Sequence, residues 1–121
     1  MTYVSGFLLP VKTDKKDVYL RSARASWPLF KEYGALHHVE TWGDSLPDGK
    51  TTDFKRAVKL EDNETVVFSW IVWPDKATSE ACEASMETDA RWKDMETDMM
   101  DAVEGKRMIF GGFETIFDES A

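Results

Sequence analysis

The chain has 121 residues, 42% of them hydrophobic and 31% charged, a balance typical of a globular domain and not of a disordered segment. Its formal net charge of −8 disfavours binding to the phosphate backbone of nucleic acids, and its single cysteine excludes an intrachain disulfide. No apolar run approaches the ~18–20 residues of a membrane helix and no signal-type stretch opens the chain, so we expect a cytoplasmic protein with no membrane partner.

Four apolar runs predict four β-strands, because each is rich in β-branched or aromatic residues and is bounded by turn-forming residues. In chain order they are Tyr3–Leu9, Ala35–Trp42, Thr65–Trp73 and Arg107–Phe117. Residues Phe54–Leu60 are a weaker candidate for a fifth strand, because Phe54, Val58 and Leu60 alternate with Lys55 and Lys59. Asp62-Asn63 would then form a hairpin turn into the third run.

A helix is predicted between the first two runs, over Asp14–Tyr33. Its apolar residues recur at spacings of three and four, which places them on one stripe. Asp14 is a candidate N-terminal cap and Gly34 a candidate C-terminal cap. Pro28 lies inside the helix and removes one backbone donor, which predicts a kink in the preceding turn.

Two helical pieces are predicted between the third and fourth runs, over Asp75–Val103, with a break near Asp89. The first piece is expected to pack through small residues, namely Ala77, Ala81, Ala84 and Ser85. The second carries a stripe of larger ones, namely Trp92, Met95, Met99 and Val103. The resulting order is β-α-β-β-α-β, the ferredoxin-like pattern of the α+β class. We therefore predict one domain over residues 1–121, with an antiparallel sheet and helices on one face.

The third run has apolar side chains on both faces of the predicted strand. Val66, Phe68, Trp70 and Val72 point one way, and Val67, Ser69, Ile71 and Trp73 point the other. The helices suffice to cover only one face, and each large side chain left in water forgoes roughly 1.5–3 kcal/mol. We therefore predict a homodimer that packs sheet against sheet. Alternatively, the extra apolar face lines a ligand cavity, and both arrangements can hold together.

Several strings of the sequence resemble the YbaA-like proteins, a bacterial family of unknown function. They are Gly34-Ala35-Leu36, Glu64–Pro74 and Gly105–Glu114, and Tyr3–Pro10 and Pro47–Lys50 also resemble the family pattern. The resemblance spans nearly the whole chain. It implies a dimeric α/β barrel, a version of the ferredoxin-like fold whose relatives include small monooxygenases, isomerases and haem-handling proteins.

His38 and Glu40 share one face of the second strand and are the candidate acid–base pair, whereas His37 faces the other side. No third ligand accompanies them, so we predict no metal site. Further candidates for ligand binding are Trp27, Phe30, Trp70, Arg107 and Glu114. The sequence favours a structural interpretation of these residues: an exposed strand histidine, core aromatic residues, and a surface or interface ion pair.

Three functions remain open at this point. The aromatic excess, with five Trp and seven Phe, favours a homodimer that binds a small apolar or aromatic molecule, with or without catalysis. The first alternative is a non-catalytic interaction or stress-associated protein whose dimer surface is its output. The second is an RNA-associated protein, which the net charge disfavours. We predict no cofactor under any of them.

Overall fold

The computed structural model describes all residues from 1 to 121. The strands are β1 (Tyr3–Lys12), β2 (His37–Trp42), β3 (Glu64–Trp73) and β4 (Ile109–Glu114). The α-helices are α1 (Lys16–Glu32), α2 (Phe54–Ala57), α3 (Lys76–Thr88) and α4 (Glu96–Ala102), and short 3-10 turns occupy Thr13–Lys15, Ala90–Met95 and Gly105–Arg107. None of the helices is both long enough and apolar enough to cross a membrane.

The four strands form one antiparallel sheet in the order β2-β3-β1-β4. Strand β1 pairs with β3 along its whole length, from Tyr3 opposite Trp73 to Lys12 opposite Glu64. Each pair of strands joined by a long helical connection is separated in the sheet by one other strand. This is the predicted ferredoxin-like α+β arrangement, which is confirmed.

One face of the sheet carries the main core, in two clusters under the long helices. The first contains Leu9, Val11, Tyr19, Val67, Ala102 and Val103. The second contains Leu29, Ala35, Ile71, Trp73, Cys82 and Trp92. Both clusters combine side chains of β1 or β3 with side chains of α1 and the segment after β3. The predicted stripe of the second helical piece is confirmed, since Trp92 and Val103 are buried and Met95 and Met99 are half-buried.

The predicted extra strand at Phe54–Leu60 is wrong. Residues Phe54–Ala57 form one helical turn, and the Asp53 carboxylate caps it by accepting a hydrogen bond from the Arg56 backbone N–H at 2.7 Å. This backbone hydrogen bond, together with the bonds from the Arg56 side chain and the Gly49 backbone, lowers the pKa of Asp53 to about 2. The apolar residues Phe54 and Val58 are four apart, so they serve a helical turn as well as a strand. The turn packs Phe54 against Phe68, on the sheet face opposite the long helices.

Two other details of the helices differ from the prediction, and two are confirmed. Asp14 makes no capping bond, because a 3-10 turn at Thr13–Lys15 precedes α1. Helix α3 buries Ser85 as predicted, but its other buried residues are Ser79 and Cys82, while the predicted Ala77, Ala81 and Ala84 are exposed. Small side chains differ too little in hydrophobicity to fix which face turns inward. Gly34 follows α1 with a φ of +105°, and Asp89 ends α3, both as predicted.

Candidate functional site

A cavity of about 640 Å³ lies between the sheet and the layer of long helices. Its origin is the small size of the helix residues that face the sheet. Helix α1 presents Ser22, Ala23 and Ser26 to the cavity, and α3 presents Ser79 and Cys82. Larger side chains at these positions would fill the space, as they do in a close-packed core. The small inner faces therefore leave a volume in the range of small-molecule sites.

The polar end of the cavity is a chain of three hydrogen-bonded side chains. Strand parity directs His38 and Glu40 toward the helices, with their side chains 8% and 17% exposed. The Tyr19 hydroxyl of α1 donates to Glu40 Oε1 at 2.5 Å. His38 Nε2 lies 2.5 Å from Glu40 Oε2. The structure thus brings together the predicted pair and adds a third member from α1.

The hydrogen bonds set the roles of these groups. A carboxylate oxygen accepts hydrogen bonds, so Nε2 of His38 is the donor in its bond to Glu40. Nδ1 is the ring nitrogen that this bond leaves free. Burial, followed by the charge of Glu40 and the hydrogen bond to it, raises the pKa of Tyr19 far above its ordinary value. Tyr19 is therefore a donor throughout the neutral range.

Aromatic rings of α1 surround the His38 imidazole. The Phe30 ring meets it edge-on at a centroid distance of 5.5 Å, and the Trp27 ring lies at 6.3 Å. Phe30 also lines the cavity and packs against Trp92 at 4.8 Å. The imidazole therefore sits at the boundary between an apolar wall and the carboxylate of Glu40.

The other predicted residues lie away from this cavity. Trp70 is on the opposite sheet face, where it packs against Phe68 at 5.3 Å. Arg107 lies in the turn before β4 and makes a two-pronged ion pair with Glu64 at 2.6 and 2.8 Å. Glu114 ends β4 and is exposed, and no ion pair joins it to Arg107. The structure does not bring these three together with His38.

Sequence reasoning missed two residues at the cavity. Tyr19 falls on the apolar stripe of α1, a pattern that predicts core packing, although a buried tyrosine hydroxyl usually requires a partner. Glu40, an acidic residue in the middle of β2, is the available signal for that partner. Ser69 lies opposite Glu40 in the β2–β3 ladder and faces the same cavity, a pairing that depends on a register the sequence does not specify.

Comparison with known sequences gives a consistent result over almost the entire chain. The family model described as "Protein of unknown function (DUF1428)" matches residues 2–102. The uncharacterized protein YbaA of Escherichia coli K12 is 52% identical over 119 residues, which cover 98% of this chain and 100% of that protein. The YbaA protein of Shigella flexneri matches with the same identity and coverage.

Solved structures with the same fold are much more distant in sequence. A dimeric ferredoxin-like protein from an uncultured marine organism superposes with a TM-score of 0.64 at 10% identity, covering 98% of this chain and 100% of that one. A putative antibiotic biosynthesis monooxygenase from Nitrosomonas europaea gives 0.59 at 13% identity, with 98% and 94% covered. SnoaB, a cofactor-independent oxygenase from Streptomyces nogalater, gives 0.57 at 14% identity, with 97% and 95% covered. At these identities the likeness concerns the fold alone.

Proposed function

Because this chain belongs to the DUF1428 family of proteins of unknown function, its site must be interpreted from its own geometry. We propose that it binds a small apolar or aromatic molecule in the helix-side cavity, with His38 as the group that exchanges a proton with that molecule. The observation that carries this proposal is the hydrogen-bonded chain from Tyr19 through Glu40 to His38 at the cavity wall.

The arrangement of this chain supports a chemical role for His38 beyond packing. A base acts efficiently when a second group holds its ring in one tautomer and one orientation. Glu40 does this through Nε2, and the bond from Tyr19 fixes Glu40 in turn. A strand histidine of purely structural origin needs neither partner. The His38 side chain is almost completely buried and borders the open volume of the cavity, which supports contact with a ligand.

The cavity also bears on the choice between the two leading functions. A protein whose output is only its dimer surface is expected to have a closed core without converging polar groups. Here the volume of about 640 Å³ combines apolar walls with several hydroxyls and a carboxylate. Most small-molecule sites share this combination of an apolar lining and a few placed polar groups. We therefore prefer ligand binding to a purely structural function.

We further propose that the protein forms a homodimer through the sheet face opposite the long helices. That face exposes large apolar residues, including Phe68 at 48%, Ile109 at 43% and Phe113 at 59%. Apolar patches of this kind on a sheet mark an interaction surface. The marine ferredoxin-like neighbours are described as dimeric, which supports a second copy as the partner. Each protomer then keeps its own helix-side cavity.

The ligand proposal is tested by comparing two adjacent histidines. His38→Gln removes the imidazole from the cavity, and His37→Gln makes the same change on the other face of β2. We expect 2-(1-naphthyl)ethanol, a neutral aromatic probe, to bind the wild type and the His37 variant equally in calorimetric titration. Binding to the His38 variant should be at least ~10-fold weaker, because one hydrogen bond in a dry site accounts for about 1.5 kcal/mol.

Circular dichroism and sedimentation confirm that both variants keep the fold and the assembly. Equal affinity of the two variants for the probe would remove His38 from the site. Failure of the wild type to bind any apolar probe, together with no co-purified ligand in native mass spectrometry, would refute the binding proposal itself.

A further inference from the structure

The charged side chains that line the helix-side cavity are carboxylates, apart from His38. They are Glu40 within the cavity and Glu80, Glu83 and Glu96 at its opening, and no lysine or arginine contributes to the lining. The three outer carboxylates are exposed, two on α3 and one at the start of α4. A cleft with low-dielectric walls and one sign of charge concentrates its field inside. The cavity therefore has a negative potential.

No lysine or arginine of the helix layer belongs to the cavity lining. Arg21 pairs with Asp98 at 2.7 Å, and Arg91 pairs with Glu32 and Asp89 at 2.6 and 2.7 Å; neither arginine lines the cavity. Lys76 lies 3.8 Å from Glu80, but both side chains are more than half exposed. Exposed pairs of this kind contribute little. Glu40 has only Tyr19 and His38 as partners and is not paired with a lysine or arginine.

Ser69 provides an independent observation at the same place. Its residue is only 3% exposed, it lies opposite Glu40 in the ladder, and it lines the cavity. Its hydroxyl makes no hydrogen bond within the chain, unlike that of Ser5, which accepts from Trp73 Nε1 at 3.0 Å. Every fully buried side-chain nitrogen or oxygen of the chain has a hydrogen-bond partner, so an oxygen without one, such as that of Ser69, borders the open volume of the cavity. The Ser69 hydroxyl is thus available to a bound molecule, next to the carboxylate.

We propose that the cavity selects ligands whose polar end is a cation: an amine carried on an aromatic or aliphatic body. An ammonium group has three donors and no acceptor, which suits a carboxylate oxygen of Glu40 and the Ser69 hydroxyl oxygen. The aromatic walls, including Phe30 and Trp73, contact the body of the ligand. A carboxylate or phosphate in the same position meets Glu40 at low dielectric and is repelled. This inference rests on the proposed ligand-binding function.

Three probes with one aromatic body and different polar ends test it. They are 2-(1-naphthyl)ethylamine, 2-(1-naphthyl)ethanol and 1-naphthylacetate, which are cationic, neutral and anionic at pH 7. In calorimetric titration the wild type should bind the amine at least ~10-fold more tightly than the alcohol and ~100-fold more tightly than the carboxylate. Charge-assisted hydrogen bonds are about twice as strong as neutral ones, which sets this order.

Two variants assign the preference to the cavity. Glu40→Gln keeps the size and the acceptor oxygen for Tyr19 but removes the charge, so the amine and the alcohol should bind with equal affinity. Glu87→Gln makes the same change of net charge at an exposed position of α3 outside the cavity and should leave the preference intact. If Glu40→Gln does not fold, Ser69→Ala is the second test, and we expect it to weaken amine binding at least ~5-fold.

The outcomes separate this inference from the proposed function. Binding of all three probes with similar affinity, or a preference for the carboxylate, overturns the charge selectivity and leaves ligand binding intact. An amine preference that survives Glu40→Gln also overturns it. Binding of none of the probes refutes the proposed function and this inference together.

Discussion

Glu40 stands at the centre of the polar end of the cavity. It joins α1 to β2 by accepting the Tyr19 hydroxyl, 21 residues away in the chain, and it orients His38 on its own strand. A carboxylate that is largely removed from water depends on such donors, because losing one leaves part of its charge unsolvated. The same bonds therefore support the fold of the chain and the geometry of the proposed site.

Tyr19→Phe tests this bond through the pH dependence of stability. The variant should unfold about 1.5–3 kcal/mol more easily at pH 7, since it loses a hydrogen bond to a charged group. Burial and Glu40 raise the pKa of Tyr19, so the unfolded chain ionises this group from pH ~10 whereas the folded chain keeps the proton. The stability contributed by Tyr19 is complete below pH ~10 and declines above it. The gap between wild type and variant should therefore narrow by up to ~1.4 kcal/mol per pH unit above pH ~10.

Urea unfolding of both proteins at pH 7, 10 and 11 measures that gap, and all other titrating groups are common to the two chains. A gap that stays constant from pH 7 to 11 would show that Tyr19 is not protected from ionisation in the folded state.

For individual residues of the cavity, the sequence predicts which side chains of a strand share a face and little more. That His38 and Glu40 share a face follows from the two-residue period of a strand, and the structure has them 2.5 Å apart. The contribution of Tyr19 depends on where α1 crosses the sheet, which no local pattern specifies. The sequence makes Trp70 a candidate because β3 is apolar on both faces, and that pattern does not reveal which face meets the helices. In the structure, Trp70 lies on the face away from the helices and the cavity.

The helices and strands differ in how well the sequence predicts them. Large β-branched and aromatic residues give a strong signal, so all four strands are predicted, with ends correct to within two residues except at the C-terminal ends of β1 and β4, which are each off by three. Helix α3 has a weak apolar stripe: of its four predicted inward residues only Ser85 is buried, and Ser79 and Cys82 occupy the other inward positions. The pattern of Phe54–Ala57 is compatible with a strand, and the capping carboxylate of Asp53 favours a helical turn there. In elements with small or charged side chains, tertiary packing decides which residues face the core and whether the segment is a helix or a strand.

Strand β4 depends on a glycine for its close approach to β1. A Cβ at Gly112 would lie 2.1 Å from the Tyr3 hydroxyl oxygen and 2.8 Å from its ring carbons, so the ring must move. Tyr3 also lines the cavity. We expect Gly112→Ala to lower the free energy of unfolding by about 1–3 kcal/mol through overpacking and to weaken binding of the naphthyl probe.

Gly111→Ala is the matched control in the same strand, because a Cβ there would meet only Phe113 at an ordinary contact distance of 3.6 Å. Urea unfolding of the two variants gives the comparison. Equal losses of stability would mean that strand propensity, and not contact with Tyr3, accounts for the effect.

The whole chain has two different sheet faces. One is covered by α1, α3 and α4 and contains the cavity; the other carries only the α2 turn at one end. The sequence anticipated this asymmetry, since β3 is apolar on both sides while the helices suffice for one. The open face still exposes large apolar residues of β3 and β4 in the single chain. A second copy placed against it would bury both sets at once, as a two-fold interface requires.

Phe68→Glu tests that interface in solution. Phe68 lies on the open face and is 48% exposed, so a carboxylate at this position is tolerated in the single chain but must be buried in a sheet-to-sheet dimer. Burying an unpaired charge costs several kcal/mol, and we expect the dimer to weaken at least ~100-fold.

Met100→Glu is the control, because Met100 is 73% exposed on α4, away from the open face. Sedimentation at micromolar concentration should show dimers of the wild type and the Met100 variant and monomers of the Phe68 variant, all with the same circular dichroism. A wild type that sediments as a monomer would show that no such dimer forms. A Phe68 variant that remains dimeric would place the dimer interface on another surface.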